Sequence, residues 1–517
     1  MKIGFKNLRS LVNTGNLSIK PMTILLGQNS SGKSTFLRTF PLLKQSIETR
    51  TTGPILWYGR FVDFGDFSNA LNESENSKND FIEYSFELDF NKENINRYYR
   101  KKPVFENIER NLDNCLVAIQ LKGDKENKTY TSKMQIVFND FDIEIVIGKN
   151  KELESIFIDG IKIKSDNLTM VNLNNGFLPT LFLLKDDENH FALSSERFSL
   201  RKIFKEISSI SNRKLSDETI LKILNQLNFN SNKELFDSII KQDIVKGFAN
   251  KVKDWEIEND KYINLKNHLI TSAIPSLISL CDSKITSIAN STSYIAPLRA
   301  TAERYYRPQD LNVDEVDFQG KNLALVLRNF SQSERNEFEK WCLNNFSFFP
   351  RAKILGGNIS VTVNFKNNSG EHNIADLGFG FSQILPVIVQ IWTGSLRKKN
   401  KRYRRYSGIK IYAIEQPELH LHPKIQALIV DALISVINFV RNEELSVYFI
   451  LETHSETIVN AIGTRIYKKK IDKNDVNVII FERENNKPKS QVYEVKYSDD
   501  GTLKNWPYGF FEEEWQF

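Results

Sequence analysis

The chain has 517 residues, 40% hydrophobic and 26% charged, enough for about two to four domains around a sizeable core. Seventy basic residues against 64 acidic ones leave a net charge of +6, which permits a nucleic-acid partner without demonstrating one. Cys115, Cys281 and Cys342 lie far apart in sequence, which argues against a zinc or disulfide framework and for a reducing compartment. No run approaches the roughly 18 apolar residues of a membrane span, and the N-terminal MKIGFKNLRS has no signal-peptide apolar region; the expected location is the cytoplasm, with no membrane partner.

In chain order, Lys2–Phe5 and Asn16–Ile19 read as short strands joined through a Thr14-Gly15-Asn16 turn. Met22–Leu26 is an apolar run that reads as a buried strand. It leads into Gly27-Gln28-Asn29-Ser30-Ser31-Gly32-Lys33-Ser34-Thr35, which fits G-x-x-x-x-G-K-[ST], and then into helical spacing that Pro41 interrupts or kinks. The chemistry follows from this strand–loop–helix order. Gly27 and Gly32 let backbone amides line a concavity at a helix N-terminus, where phosphate is favoured. Lys33 reaches the β- and γ-phosphates and Ser34 ligates Mg²⁺. The stretch Gly27–Thr35 therefore points to a nucleoside triphosphate with Mg²⁺.

Strand-like runs follow at Ile82–Phe90, Leu116–Leu121, Lys133–Phe138, Phe141–Ile147 and Glu154–Ile163, a mainly antiparallel β lobe. From about Ser194 to Ala289 the spacing turns helical, over Ser199–Ile210, Asp217–Leu227, Glu234–Val252 and Ile263–Ile288, with a helix start at Ser216. The pattern then returns to α/β. The expected division is residues 1–193 with the phosphate loop and β lobe, 194–289 as a helical insertion, and 290–517 as the rest of an α/β head.

Four elements in the last part narrow the class. Asp376-Leu377-Gly378-Phe379-Gly380-Phe381-Ser382-Gln383 is a glycine-rich turn before an apolar helix, with Gly380 and an exposed Ser382 suited to grip a γ-phosphate, most plausibly that of a second subunit. The strand Ile409–Ile414 ends in Glu415-Gln416-Pro417-Glu418, a Walker-B arrangement in which Glu415 holds Mg²⁺. His420 and His422 have no third histidine or cysteine near them in sequence, so they read as an interface loop rather than a metal site. Thr453-His454-Ser455 follows an apolar strand and sets one imidazole near the γ-phosphate. Between these, Arg397–Arg405 carries seven Lys or Arg in nine positions, a solvated loop or a contact for a DNA or RNA backbone.

The segments MKIGFKNLRSL…MTILLGQNSSGKST, LGFGFSQILP, IEQPELHLHP and ETHS together resemble the ABC-type ATPase heads of the SMC, RecF and OLD group. With YIAPLR and the terminal WPYGFFEEE they are most similar to the bacterial "AAA family" ATPases of anti-phage systems, such as the Septu ATPase and its retron-associated relatives. The resemblance implies a homodimer, or a higher homo-oligomer, that sandwiches ATP between heads. It gives Lys33, Ser34 and Glu415 to phosphate and Mg²⁺, Ser382 to the opposite subunit's nucleotide, and His454 to a switch role. It also implies a separate nuclease or toxin partner, since the tail after ETHS is too short for a Toprim domain. Gln416 stands where such heads usually place the catalytic glutamate, with Glu418 two residues on as a substitute. The competing expectations are a RecF-like DNA repair clamp and an ATP-bound scaffold with little turnover.

Overall fold

The computed structural model describes residues 1–72, 80–90, 103–163, 168–172, 176–183, 195–367, 370–397, 408–441, 443, 445–483 and 490–504. The terminal WPYGFFEEE lies outside them. By contacts the chain divides into two units: Met1–Leu8, Ser46–Tyr58 and Phe64–Thr286 form one, and Arg9–Gln45, Gly59–Asp63 and Ser287–Phe517 the other.

In the first unit an antiparallel sheet runs in the order Ile161–Ile163, Leu153–Ile158, Phe141–Ile147, Thr129–Phe138, Asn114–Gly123, Ile82–Asp89, Lys2–Leu8. Phe141–Ile147 alternates buried and half-buried side chains along its whole length, the period-2 signature of a sheet with one face packed. The single strand expected over Glu154–Ile163 is a hairpin, because Asp159 and Gly160 both take positive φ (50° and 78°) in a two-residue turn. Helices Ser195–Ile210, Asp217–Asn225, Asn232–Ile240 and Lys246–Val252 belong to this same unit, so the helical stretch clusters with the β strands. Ser216 caps its helix by accepting the Thr219 amide, and the helix expected over Glu234–Val252 is two shorter ones. Polar anchors tie helices to sheet: Lys266 donates to Asp159 at 2.6 Å, and Asp282 accepts the Phe177 and Leu178 amides at 2.7 Å each. Cys115 and Cys281, distant in sequence, are buried free thiols with sulfurs 3.7 Å apart.

The second unit is built on a six-stranded sheet in the order Thr292–Ile295, Ile409–Glu415, Ser446–Glu452, Met22–Gly27, Val476–Arg483, Ser490–Val495. The first five are parallel and the last pairs antiparallel. Met22–Gly27 is buried at every position, as a strand covered on both faces must be. Helix Lys33–Glu48 runs through Pro41 without ending there. Phe36, Leu37, Phe40, Leu42 and Leu43 are almost wholly buried, and that packing offsets the roughly 3 kcal/mol an interior proline costs. Helix Pro423–Val440 is long and apolar enough to cross a membrane by length and composition. It buries Ile429, Val430, Leu433, Val436 and Ile437 in this unit's core instead.

The basic loop starts differently from the surface contact anticipated for it. Arg397 is 1% exposed; its Nε donates to Glu334 at 2.7 Å, its Nη1 to Asp314 at 2.9 Å, and its guanidinium lies 5.3 Å from the Phe330 ring centre. This charge serves the interior and cannot meet a phosphate backbone. Residues 398–407, with Lys398, Arg404 and Arg405, lie outside the described residues. Replacing Arg397 with Ala strands Glu334 in a buried position, so stability should fall by about 3–5 kcal/mol, read as a lowered midpoint in denaturant unfolding.

Candidate functional site

The glycines of the phosphate loop are fixed by space as well as by angle. Gly27 closes the central strand at φ +153°, and a Cβ there would stand 2.2 Å from the Phe481 carbonyl oxygen. Gly32 has φ +99°, and its Cβ would meet Leu11 Cδ2 at 2.6 Å. Between them Gln28, Asn29 and Ser30 are exposed, Ser30 in the left-handed region at φ 61°, while Ser31 is buried and donates to the Gln28 carbonyl at 2.8 Å. Lys33 is folded back onto its own loop, donating to the Gly27 and Gln28 carbonyls at 2.9 and 2.6 Å. Burial pushes its pKa down, and the Glu452 carboxylate opposes that. Ser34 and Thr35, half-buried, open the helix; the Ser34 hydroxyl donates to Glu452 Oε1 at 2.6 Å.

Two carboxylates face this loop because of strand register. Glu415 and Glu452 are partners at the ends of adjacent parallel strands, and Glu452 is in turn the register partner of Leu25 on the loop's own strand. Glu415 is held from several sides. Arg38, one turn after Ser34 on the helix, grips it with Nε at 2.7 Å and Nη2 at 2.8 Å, and the Tyr294 hydroxyl donates to it at 2.7 Å. The Arg299 Nη2 donates to its backbone carbonyl at 2.9 Å, and burial lowers the Arg299 pKa to about 10. Glu452 has only Ser34 on Oε1; its Oε2 is buried with no hydrogen-bond partner among the described residues. Burial, with Glu415 beside it, raises the Glu452 pKa to about 7, despite Ser34, Lys33 and Arg38.

Gln416 takes φ +43° directly after the strand, and its amide donates to the Glu452 carbonyl at 2.8 Å. Glu418 turns away from the loop's serine: its Oε1 accepts the His454 amide at 2.8 Å, and burial raises its pKa. Partial desolvation, and then the Lys33 charge, hold the His454 pKa below the ordinary imidazole range. His422 caps helix Pro423–Val440 by accepting the Lys424 amide, and His420 packs edge-on against Phe379, ring centres 4.8 Å apart. No cluster of three or more metal-type side chains occurs among the described residues.

The glycine-rich turn departs from expectation at one residue. Gly378 starts helix Phe379–Ser395 at φ +79° with no side-chain cap, leaving its first amides to other partners. Gly380 packs on the His420 carbonyl, 3.0 Å from where a Cβ would sit. Ser382, however, is 4% exposed and donates to the Phe379 carbonyl at 2.6 Å, so the exposed serine anticipated from sequence is turned inward. Its position in the helix's first turn, rather than in the loop, is the cause.

Sequence reasoning missed Glu452, Arg38, Tyr294 and Arg299. Arg38 had a signal, four residues after Ser34 on one helix face. Glu452 had one too, an acidic residue closing an apolar strand just as Glu415 does.

With the geometry in place, comparisons narrow the class. The sequence family described as "AAA ATPase domain" matches residues 1–459. The crystal structure of an SMC head bound to the C-winged helix domain of ScpA aligns at 11% identity, covering 96% of this chain and 97% of that one, with a TM-score of 0.36. The SMC head domain from Thermotoga maritima aligns at 8% identity over 95% and 97%, also at 0.36. At those scores neither structure carries an argument about this chain. Comparison with curated proteins finds no match.

Gly27→Ala forces Cβ into the Phe481 carbonyl, so the loop must shift. The expected result is at least a tenfold loss of ATP affinity by calorimetry together with a lowered unfolding midpoint; unaltered affinity in the folded variant would mean the loop is not the site.

Proposed function

The chain belongs to the AAA ATPase domain family, and from that premise we propose that it is a nucleotide latch: a cytoplasmic ATPase head that closes in pairs around MgATP, hydrolyses it slowly, and controls a separate nuclease or toxin in defence against phage. The observation that carries the latch is Gln416, which stands at the end of the Walker-B strand, held there by its backbone N–H on the Glu452 carbonyl, and offers a side-chain amide where a carboxylate would be needed. An amide can orient a water but cannot accept its proton at neutral pH. Glu418, two residues on, has its Oε1 engaged by the backbone amide of His454, and its Oε2 is buried without a hydrogen-bond partner among the described residues.

The oxygen donors fit Mg²⁺: a serine hydroxyl, a carboxylate on it, and a buried carboxylate oxygen without a partner. Ser34 and a carboxylate of the Glu415–Glu452 pair would hold the ion, which supplies charge neutralisation at the β- and γ-phosphates. The chain's own residues do the rest. Lys33 exchanges its two loop carbonyls for phosphate oxygens, and the amides of residues 27–35 bind without needing to move a charge. His454, whose pKa is lowered by burial and by the Lys33 charge, would offer one ring nitrogen for a hydrogen bond near the phosphates. The capless amides from Gly378 onward suit the γ-phosphate of the opposite copy, and the Ser382 hydroxyl joins them only by leaving the Phe379 carbonyl.

A single assay separates latch from motor. Wild-type steady-state ATPase should be slow and should rise roughly 10²- to 10⁴-fold in Gln416→Glu, while Lys33→Ala loses ATP binding altogether. A fast wild type with no gain in Gln416→Glu sinks the latch. Mass analysis of what co-purifies tests the partner: a nuclease or toxin subunit supports control of an effector, whereas DNA alone favours the repair-clamp reading.

A further inference from the structure

The Walker-B carboxylate is the one that sequence assigns to the metal, yet the two carboxylates at the site are not equally free. Both oxygens of Glu415 are engaged in a bidentate pair with Arg38, and Oε1 takes the Tyr294 hydroxyl as well. Glu415 is 2% exposed, so this is a desolvated, charge-assisted arrangement whose breaking would leave a guanidinium without its counter-ion. Glu452 presents the opposite case. One of its oxygens already touches the Ser34 hydroxyl at 2.6 Å, and the other is buried without a partner among the described residues.

We propose that Glu452, and not Glu415, is the carboxylate that takes Mg²⁺ together with Ser34 when nucleotide is bound, while Arg38 reserves Glu415 as a fixed counter-charge. The inference rests on the nucleotide reading above and refines its metal site. Charge balance favours this division. Two carboxylates in register on neighbouring strands repel each other; Arg38 neutralises one permanently, which leaves one negative charge for a cation that arrives with the phosphates. Ser34 need only turn its proton away from Glu452 to offer a lone pair, so both oxygen donors are in place before the ion comes. Using Glu415 instead would require Arg38 and Tyr294 to let go first. Arg38 and Tyr294 are thus positioning residues for the metal site: by occupying Glu415 they decide which carboxylate is available.

The test compares ATP affinity by calorimetry in EDTA and in excess Mg²⁺ for wild type, Glu452→Gln and Glu415→Gln, with thermal unfolding as the check on folding. In wild type Mg²⁺ should tighten binding. Glu452→Gln should lose that gain, by roughly 10- to 100-fold, with affinity in EDTA unchanged or better because a negative charge has left the site. Glu415→Gln should keep the Mg²⁺ gain and instead lower the melting temperature, since Arg38 loses its partner. Retention of the Mg²⁺ gain in Glu452→Gln, or its loss in Glu415→Gln, overturns the assignment. Binding in EDTA depends on Lys33 and the loop amides rather than on either carboxylate, so its absence in wild type would count against the nucleotide reading itself.

Discussion

The site depends on a conflict between two buried like charges. Parallel pairing brings Glu415 and Glu452 side by side at the ends of adjacent strands, and neither is in bulk water. Such a pair is tolerable only if counter-charge is supplied. Arg38 supplies it to Glu415 by a two-point contact; Glu452 receives a hydroxyl and the fields of Lys33 and Arg38, which do not offset its burial and the Glu415 charge, so its pKa is raised. Lys33 is in a similar position, its charge spent on two carbonyl oxygens of its own loop. The site thus holds a carboxylate and an ammonium that are each incompletely satisfied, a few bonds from one another. On the proposed reading MgATP would complete both, its phosphates at Lys33 and its cation at Glu452.

The sheet order is what allows this. Ser446–Glu452 lies between the Walker-B strand and the loop strand, so a side chain at its end is directed to the hydroxyl that opens the helix. The same strand's continuation carries His454, whose backbone amide is held by Glu418 and whose ring has its pKa lowered by burial and by the Lys33 charge. One parallel ladder therefore sets the spacing of the two carboxylates, while Ser34 is carried by the helix after the phosphate loop and His454 by the segment just beyond its strand.

Legibility in the sequence followed the range of the interaction. The phosphate loop could be read because its constraints are local: Gly27 and Gly32 are demanded by positive φ and by contacts a side chain would violate. The antiparallel strands could be read because alternate burial leaves a period-2 pattern, as along Phe141–Ile147. Features set by register or by packing between distant segments left weaker marks. Glu452 is important only because Glu415 is its neighbour across a strand pair. Arg397 looked like the start of a solvated basic loop, because the Glu334 and Asp314 that bury it lie far away in sequence. Ser382 looked exposed because a glycine-rich turn usually is, while the helix that begins at Phe379 draws it inside. Cys115 and Cys281 illustrate the same limit, remote in the chain and in contact in the core.

The most direct measurement is a crystal structure of the full chain with Mg²⁺ and a non-hydrolysable ATP analogue. The account predicts phosphates against residues 27–35, the Lys33 ammonium lifted from the Gly27 and Gln28 carbonyls, the cation between Ser34 and Glu452, and Arg38 still paired with Glu415. Nucleotide bound elsewhere, or bound with Lys33 still on its own loop carbonyls, would contradict it.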